Sequence, residues 1–205
     1  MTRVLVAALA AAFLVPARQD AQEKAPASPA VAGDAAVSVP VFPNTTCPIM
    51  GKPISQKLFV DTELGRIYFC CKGCNKKILG DVAVAYKSAY PRTTKLANAL
   101  CPVSGKPVGE KPATVLLQGR EIALCCEEHV AAARDSSQVV LAKASDPKLV
   151  DVGNAICPVS AAPVAKNAFC VIDGRLVRLS SPECVEGAKK EPLAVLAKAL
   201  AGAPR

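Results

Sequence analysis

The sequence predicts small α+β modules, three in tandem, each made of a knuckle, a β-hairpin, a helix and a second helix. Three observations carry that expectation. First, Cys47-Pro48-Ile49-Met50-Gly51-Lys52-Pro53-Ile54 returns as Cys101-Pro102-Val103-Ser104-Gly105-Lys106-Pro107-Val108 and, altered, as Cys157-Pro158-Val159-Ser160-Ala161-Ala162-Pro163-Val164. The leading cysteines stand 54 and 56 residues apart, and a fixed period marks a repeat architecture. Second, the residues after each copy repeat as well: an alternating run with a glycine turn, a Cys-rich helix start, and an Ala/Leu/Lys tail. Third, a unit of about 55 residues is too small to rest on an apolar core alone. Aromatics are 4% and Trp is absent, whereas ten cysteines and one histidine can supply zinc thiolates or disulfides as staples.

Residues 1–21 read as a secretory signal peptide. Arg3 gives a positive start, Val4 to Val15 is an apolar run too short for a relaxed membrane span, and small residues around Ala17 and Ala21 offer cleavage sites. The expected location of the product is the periplasm or the extracellular space, with no membrane span after signal removal. Residues 22–43 read as an Ala/Pro-rich linker, a flexible tether extended near Pro26, Pro29, Pro40 and Pro43. Net charge is +8. The lysines are scattered and no aromatic residues are interleaved with them, so a solvated basic surface is expected and nucleic acid is not.

The first module, 44–92, should carry strands at 57–60 and 66–70 joined through Glu63-Leu64-Gly65. A helix is expected from Cys71 towards Leu79, and a second is capped by Asp81, with Val82, Ala85, Tyr86 and Ala89 as its packing face. The second, 98–145, should have strands at 114–117 and 121–125 around Gln118-Gly119-Arg120. Helices come next, from Cys126 to Arg134 and from Gln138 to Lys143. The third, 154–202, should have strands at 168–172 and 176–179 around Asp173-Gly174-Arg175, a strong hairpin signal. Ser181 and Pro182 look like a helix cap and first turn, and Pro192 to Leu200 is the last helix.

The cysteines form constellations. Cys47 is followed after 22 intervening residues by Cys70 and, after three more, by Cys74, with Cys71 adjacent to Cys70. Cys70 and Cys74 fall one helical turn apart on one face, and Cys47 can close over them from its turn. Three or four thiolates around one tetrahedral ion is zinc chemistry, and Cu(I) prefers the same soft donors. Cys71 is one candidate fourth ligand; a water, a backbone group or a partner chain are others. The second module repeats the pattern with Cys101, Cys125 and His129, and Cys126 adjacent. An imidazole where its sister has a thiol is a natural ligand exchange. The third keeps Cys157 and Cys184 but has Ser180 and Ser181 at the paired-cysteine positions, and Cys170 occurs only there. It reads as a degenerate module, an altered site, or a disulfide of Cys157 with Cys184 or Cys170. Cys71-Lys72-Gly73-Cys74 has redox-motif spacing, but no βαβ pattern surrounds it and its second-module counterpart, Cys126 with His129, cannot form that disulfide.

The Cys-Pro-Val-x-Gly-Lys-Pro-Val opening, the hairpin, and the end Phe69-Cys70-Cys71-Lys72-Gly73-Cys74 resemble the TRASH/YHS family of small metal-binding modules. The resemblance implies a treble-clef-like zinc-finger shape and a part in heavy-metal sensing, binding or trafficking. By position, Cys47, Cys70 and Cys74 match the family's ligands. Cys101, Cys125 and His129 match with one extra spacer residue and a Cys-to-His departure, and Ser180 breaks the set in the third copy.

The expected function is that of an exported protein binding Zn2+, Cu+ or another soft heavy-metal ion through Cys47, Cys70, Cys71 and Cys74 and through Cys101, Cys125, Cys126 and His129. Its role would be metal storage, trafficking or sensing. The alternative is a disulfide- or zinc-stapled module that displays a surface to another exported protein. No enzyme is expected: one histidine, no Ser/His/Asp arrangement and no outstanding carboxylate pair offer little to hydrolysis.

Overall fold

The computed structural model describes residues 35–203, which pack within one compact unit. The expected signal peptide and residues 22–34 of the expected linker lie outside the described residues. In chain order the elements are β1 (Val37–Ser38), then β2 (Ser55–Thr62), β3 (Gly65–Phe69), α1 (Cys74–Gly80) and α2 (Val82–Ala89) in the first repeat. Next come β4 (Thr94–Lys95), and β5 (Ala113–Leu117), β6 (Arg120–Leu124), α3 (Glu128–Asp135) and α4 (Ser137–Ser145) in the second. Last are β7 (Val150–Asp151), and β8 (Phe169–Ile172), β9 (Arg175–Arg178), α5 (Cys184–Lys190) and α6 (Pro192–Ala201) in the third. The described residues thus form a small α+β fold of six helices and three small sheets.

Each repeat opens on an isolated antiparallel bridge: Thr46 with Pro53, Leu100 with Pro107, Ile156 with Pro163. Inside it the leading cysteine N–H donates to the carbonyl five residues on, at 2.8 Å in all three copies. The carbonyl of the same cysteine accepts from the N–H of Gly51, Gly105 or Ala161. Closing so tight a loop requires a left-handed residue there, with φ of 64° at Gly51, 72° at Gly105 and 58° at Ala161. An alanine Cβ is crowded in that conformation, at a cost of about 1–2 kcal/mol, partly offset because glycine is floppier when unfolded. Ala161→Gly is therefore expected to stabilise the protein by roughly 0.5 kcal/mol. A urea midpoint that stays put or falls would contradict this.

The hairpins are antiparallel; a bulge between Ser55 and Phe59 shifts the register of the first, while the other two are regular. Gln118-Gly119 and Asp173-Gly174 both place two successive residues at positive φ, the two-residue turn whose twist matches paired strands. Short lead-in strands extend two of the hairpins: β4 runs parallel to β6, and β7 parallel to β9. The lead-in of the first repeat behaves differently. β1 pairs antiparallel with β8, Val37 opposite Ile172 and Ser38 opposite Val171, so it caps the sheet of the third repeat in the order β1-β8-β9-β7. At residues 37–38 the expected flexible tether is thus a strand.

Helix starts also differ from expectation. The first helix of each repeat begins at Cys74, Glu128 and Cys184, not at Cys71, Cys126 and Ser181. The preceding residues form a tight turn closed by bonds of three-residue span, Cys74 N–H to Cys71 O at 3.0 Å, His129 N–H to Cys126 O at 3.4 Å and Cys184 N–H to Ser181 O at 3.2 Å. This turn reverses the chain straight out of the strand, so Ser181 does not cap and the residue before α5, Glu183, is already right-handed. The second helix of repeat one begins as expected, with Asp81 Oδ1 accepting from Val84 N–H. Ala85, Tyr86 and Ala89 are buried, while Val82 is only half-buried.

Each repeat has its own apolar cluster, and Cys47, Cys101 and Cys157 are part of these clusters. The clusters are joined rather than beaded. Helix α4 is buried nearly all round, as expected of a helix enclosed by core. Val140, Leu141 and Ala144 face the second cluster, while Val139 and Ala142 pack on Phe169 and Leu176 of the third repeat. Between repeats one and two, the turn at Gln118-Gly119 is the plug. Gln118 N–H donates to Leu64 O at 3.1 Å, Gly119 N–H to Tyr86 Oη at 2.8 Å and Gln118 Nε2 to Phe42 O at 2.7 Å, while Gln138 Nε2 donates to Gln118 Oε1. A Cβ at Gly119 would lie 2.9 Å from Arg92 O, so only glycine fits.

Candidate metal centre

Each site is assembled from two pieces of chain: the knuckle with its leading cysteine, and the turn that joins the hairpin to the first helix. An asparagine three residues before each leading cysteine holds the pieces in place. Asn44 Nδ2 donates to Thr46 O at 2.7 Å and Tyr68 O at 3.0 Å, while its Oδ1 accepts from Tyr68 N–H at 2.9 Å. Asn98 does the same with Leu100 and Ala123, and Asn154 with Ile156 and Arg178. The pairing fixes the knuckle against the second hairpin strand two residues before the next candidate ligand, at Cys70, Cys125 or Ser180. Sequence reasoning alone gives these asparagines no role. Their recurrence at one position in all three copies was the available signal.

In the first repeat Cys47, Cys70 and Cys74 have their sulfurs within 4.8 Å of one another. Cys47 Sγ lies 3.7 Å from Cys74 Sγ, and Cys70 Sγ lies 3.9 Å from it. Four ligands on bonds of about 2.3 Å to a tetrahedral ion stand about 3.8 Å apart. The group therefore can hold a metal ion. Cys71 is exposed and touches Cys74 at 3.6 Å, but stands outside the mutually close trio.

The second repeat brings Cys101, Cys125 and His129 together in the same way. Nδ1 of His129 lies 3.8 Å from Cys101 Sγ, 3.3 Å from Cys125 Sγ and 3.2 Å from Cys126 Sγ. Cys126 touches the imidazole and Cys125 but, like Cys71, is not one of the trio. The side chain of Ser104, three residues after Cys101, reaches Cys125 Sγ at 3.4 Å. Glu127 and Glu128 are exposed to solvent.

In the third repeat the corresponding atoms are hydroxyls. Ser160 Oγ lies 2.8 Å from Ser180 Oγ, and Cys184 Sγ touches Ser180 and Ser181 at 3.3 and 3.6 Å. Among the described residues this set does not form a group of three metal-type ligands. Cys170 is a fully buried core thiol, pushed up to about 11 by burial and by the neighbouring charge of Cys157. All ten cysteines are free.

The knuckles favour thiolate. Burial pushes Cys47 up, but N–H groups of Cys70, Ile49 and Met50 outweigh it and bring the thiol down to about 7. Cys101 falls to about 6 against burial, through the N–H of Cys125 and the N–H and hydroxyl of Ser104. Cys74 goes the other way, to about 12, raised by burial and by the facing thiols of Cys71, Cys47 and Cys70. One trio thus mixes a ready thiolate with a thiol that needs a cation to ionise, so binding should release protons.

Cys157 keeps the knuckle without a trio. Burial opposes ionisation, but the Ser160 hydroxyl and the N–H groups of Ser160, Ser180 and Val159 lower it from 9.0 to about 6. A depressed acid contributes stability that is present above its unfolded value and lost as pH falls towards its folded one. With chelator present, wild type should therefore gain stability relative to Cys157→Ser as pH rises from 6 to 9. Urea titrations of the two proteins that stay parallel across this window would show no such linkage.

Comparison with protein-family models, curated proteins and solved structures finds no match to the chain.

Proposed function

We propose that the chain is an exported protein that binds soft metal ions at two sites, Cys47/Cys70/Cys74 and Cys101/Cys125/His129, for storage, trafficking or sensing. Its three repeats are then read as treble-clef-like modules of the TRASH/YHS kind, the third without a complete site, and the protein has no catalytic role of its own. One observation carries this reading: Cys47, from the knuckle, comes within 3.7 Å of Cys74, which itself lies 3.9 Å from Cys70, the spacing a tetrahedral thiolate site requires. The recurrence of the arrangement in the second repeat, with an imidazole in place of one sulfur, supports it. Among the described residues no helix is long and apolar enough to cross a membrane.

A second reading makes the ions structural. The leading cysteines are 1% or less exposed and are part of the apolar clusters, as staples would be. Elemental mass spectrometry and thiol alkylation on the full chain, purified without reductant, test both. Two ions per chain with protected but unpaired Cys47, Cys70 and Cys74 are expected. Metal-free protein with those cysteines disulfide-bonded would sink both metal readings. Rapid exchange with a chelator while the fold persists separates handling from stapling, because removal of a structural ion unfolds the unit.

A further inference from the structure

The two trios differ in one neighbour. The third residue after the leading cysteine sits at the tip of the knuckle, and in repeats two and three its side chain faces the second position of the site. Ser104 Oγ contacts Cys125 Sγ at 3.4 Å, and Ser160 Oγ contacts Ser180 Oγ at 2.8 Å. The three knuckles share one backbone: the same bridge, the same pair of hydrogen bonds and a left-handed residue at the same place. In repeat one this position is Met50, so its Cβ starts towards Cys70 as those of the serines start towards residues 125 and 180. Met50 is 50% exposed, so its side chain is not locked into a core. A thioether on three rotatable bonds can swing over a neighbouring sulfur site without disturbing a core.

We propose that Met50 supplies a thioether donor to the Cys47/Cys70/Cys74 site and thereby makes it selective for a soft monovalent ion of the copper(I) or silver(I) type. The second site, with imidazole and a hydroxyl in the matching places, is the one suited to Zn2+. The inference rests on the metal-binding reading above and adds the division of labour between its sites. The chemistry is that of donor softness. Thioethers bind Cu(I) and Ag(I) but contribute little to Zn2+, whereas imidazole and thiolate satisfy Zn2+. Cys71, exposed, outside the trio and 3.6 Å from Cys74, is placed to exchange an ion with another thiol carrier.

The chain holds two methionines, Met1 and Met50, so methyl-labelled methionine gives a readout that a purely structural role would not move. Reduced full-length protein is titrated with Ag(I), a redox-stable probe, and separately with Zn2+. Met50→Leu identifies the Met50 methyl signal. Ag(I) is expected to shift that signal, and Zn2+ to leave it in place. Met50→Leu should weaken Ag(I) binding at the first site about tenfold, the scale of a supporting interaction around a metal, while Zn2+ affinity stays within about twofold. If Ag(I) binds but the Met50 methyl does not move, or Met50→Leu binds Ag(I) as wild type does, the thioether proposal falls and the two-site reading stands. If the reduced chain takes up neither ion, both fall.

Discussion

Cys47→Ser is expected to remove one metal ion of two from each chain, with the second retained at Cys101, Cys125 and His129. Cys47 is 1% exposed and is the only thiolate its knuckle offers, so no neighbouring sulfur anion can replace it. Serine is nearly isosteric there, yet its oxygen is hard and stays protonated near neutral pH, so it does not stand in for a thiolate. Cys70→Ser should lower occupancy of the same site. Cys71→Ser should not, because that sulfur is outside the trio. Elemental analysis of the three variants beside wild type distinguishes a site built on Cys47, Cys70 and Cys74 from one in which all four cysteines are equivalent; equal loss in Cys71→Ser and Cys70→Ser would refute the assignment. The loss should reach stability. A ligand held at a thousandfold excess over its dissociation constant stabilises the fold by about 4 kcal/mol, and the Cys47→Ser protein should lack that contribution.

The second large effect is expected at an asparagine. Asn154→Ala removes two donated bonds, to Ile156 O and Arg178 O at 2.8 Å each, and one accepted from Arg178 N–H at 3.0 Å. Asn154 is 1% exposed, so water cannot easily take over these groups. Leaving a buried polar group unsatisfied costs about 1–3 kcal/mol. Three such losses, partly relieved by relaxation, put the expected destabilisation at roughly 3 kcal/mol. Because repeat three lacks a metal trio, this variant isolates the clamp from metal binding. Asn44→Ala should show the same loss and, in addition, weaker metal binding at Cys47. Urea unfolding checks the first statement and chelator competition the second. A change below about 0.5 kcal/mol in Asn154→Ala would mean the clamp is ornamental.

How much of this was legible in the sequence depends on the kind of signal each feature leaves. The convergence of Cys47, Cys70 and Cys74, and of Cys101, Cys125 and His129, was legible because the repeat supplies an internal comparison of spacing and residue type. The hairpin turns were legible because Gln118-Gly119 and Asp173-Gly174 occupy conformations that few residues tolerate. The helix starts were misplaced by two to three residues, because a helical reading of Cys70-Cys71-Lys72-Gly73 is locally as good as the tight turn the site imposes. Other features left no local mark. Gln118 reads as an ordinary turn residue, yet it is 1% exposed and bonds to Leu64, Phe42 and Gln138. Two residues of strand at Val37–Ser38 look like linker until their partner, far along the chain, is known.

That distant pairing sets a timetable. Within each repeat the two hairpin strands and the two helices follow one another directly in the chain, so they can form soon after their own residues are available. The β1–β8 ladder cannot, because it joins residues from opposite ends of the described chain, and closing so large a loop is slow and entropically costly before other contacts have drawn the ends together. Until then one edge of β8 presents unpaired backbone groups, the kind of edge that captures strands from other molecules. A chain that emerges vectorially would therefore carry its first two sites essentially complete while its third repeat is still open, and capture of its own N-terminal strand would be the last step of its assembly.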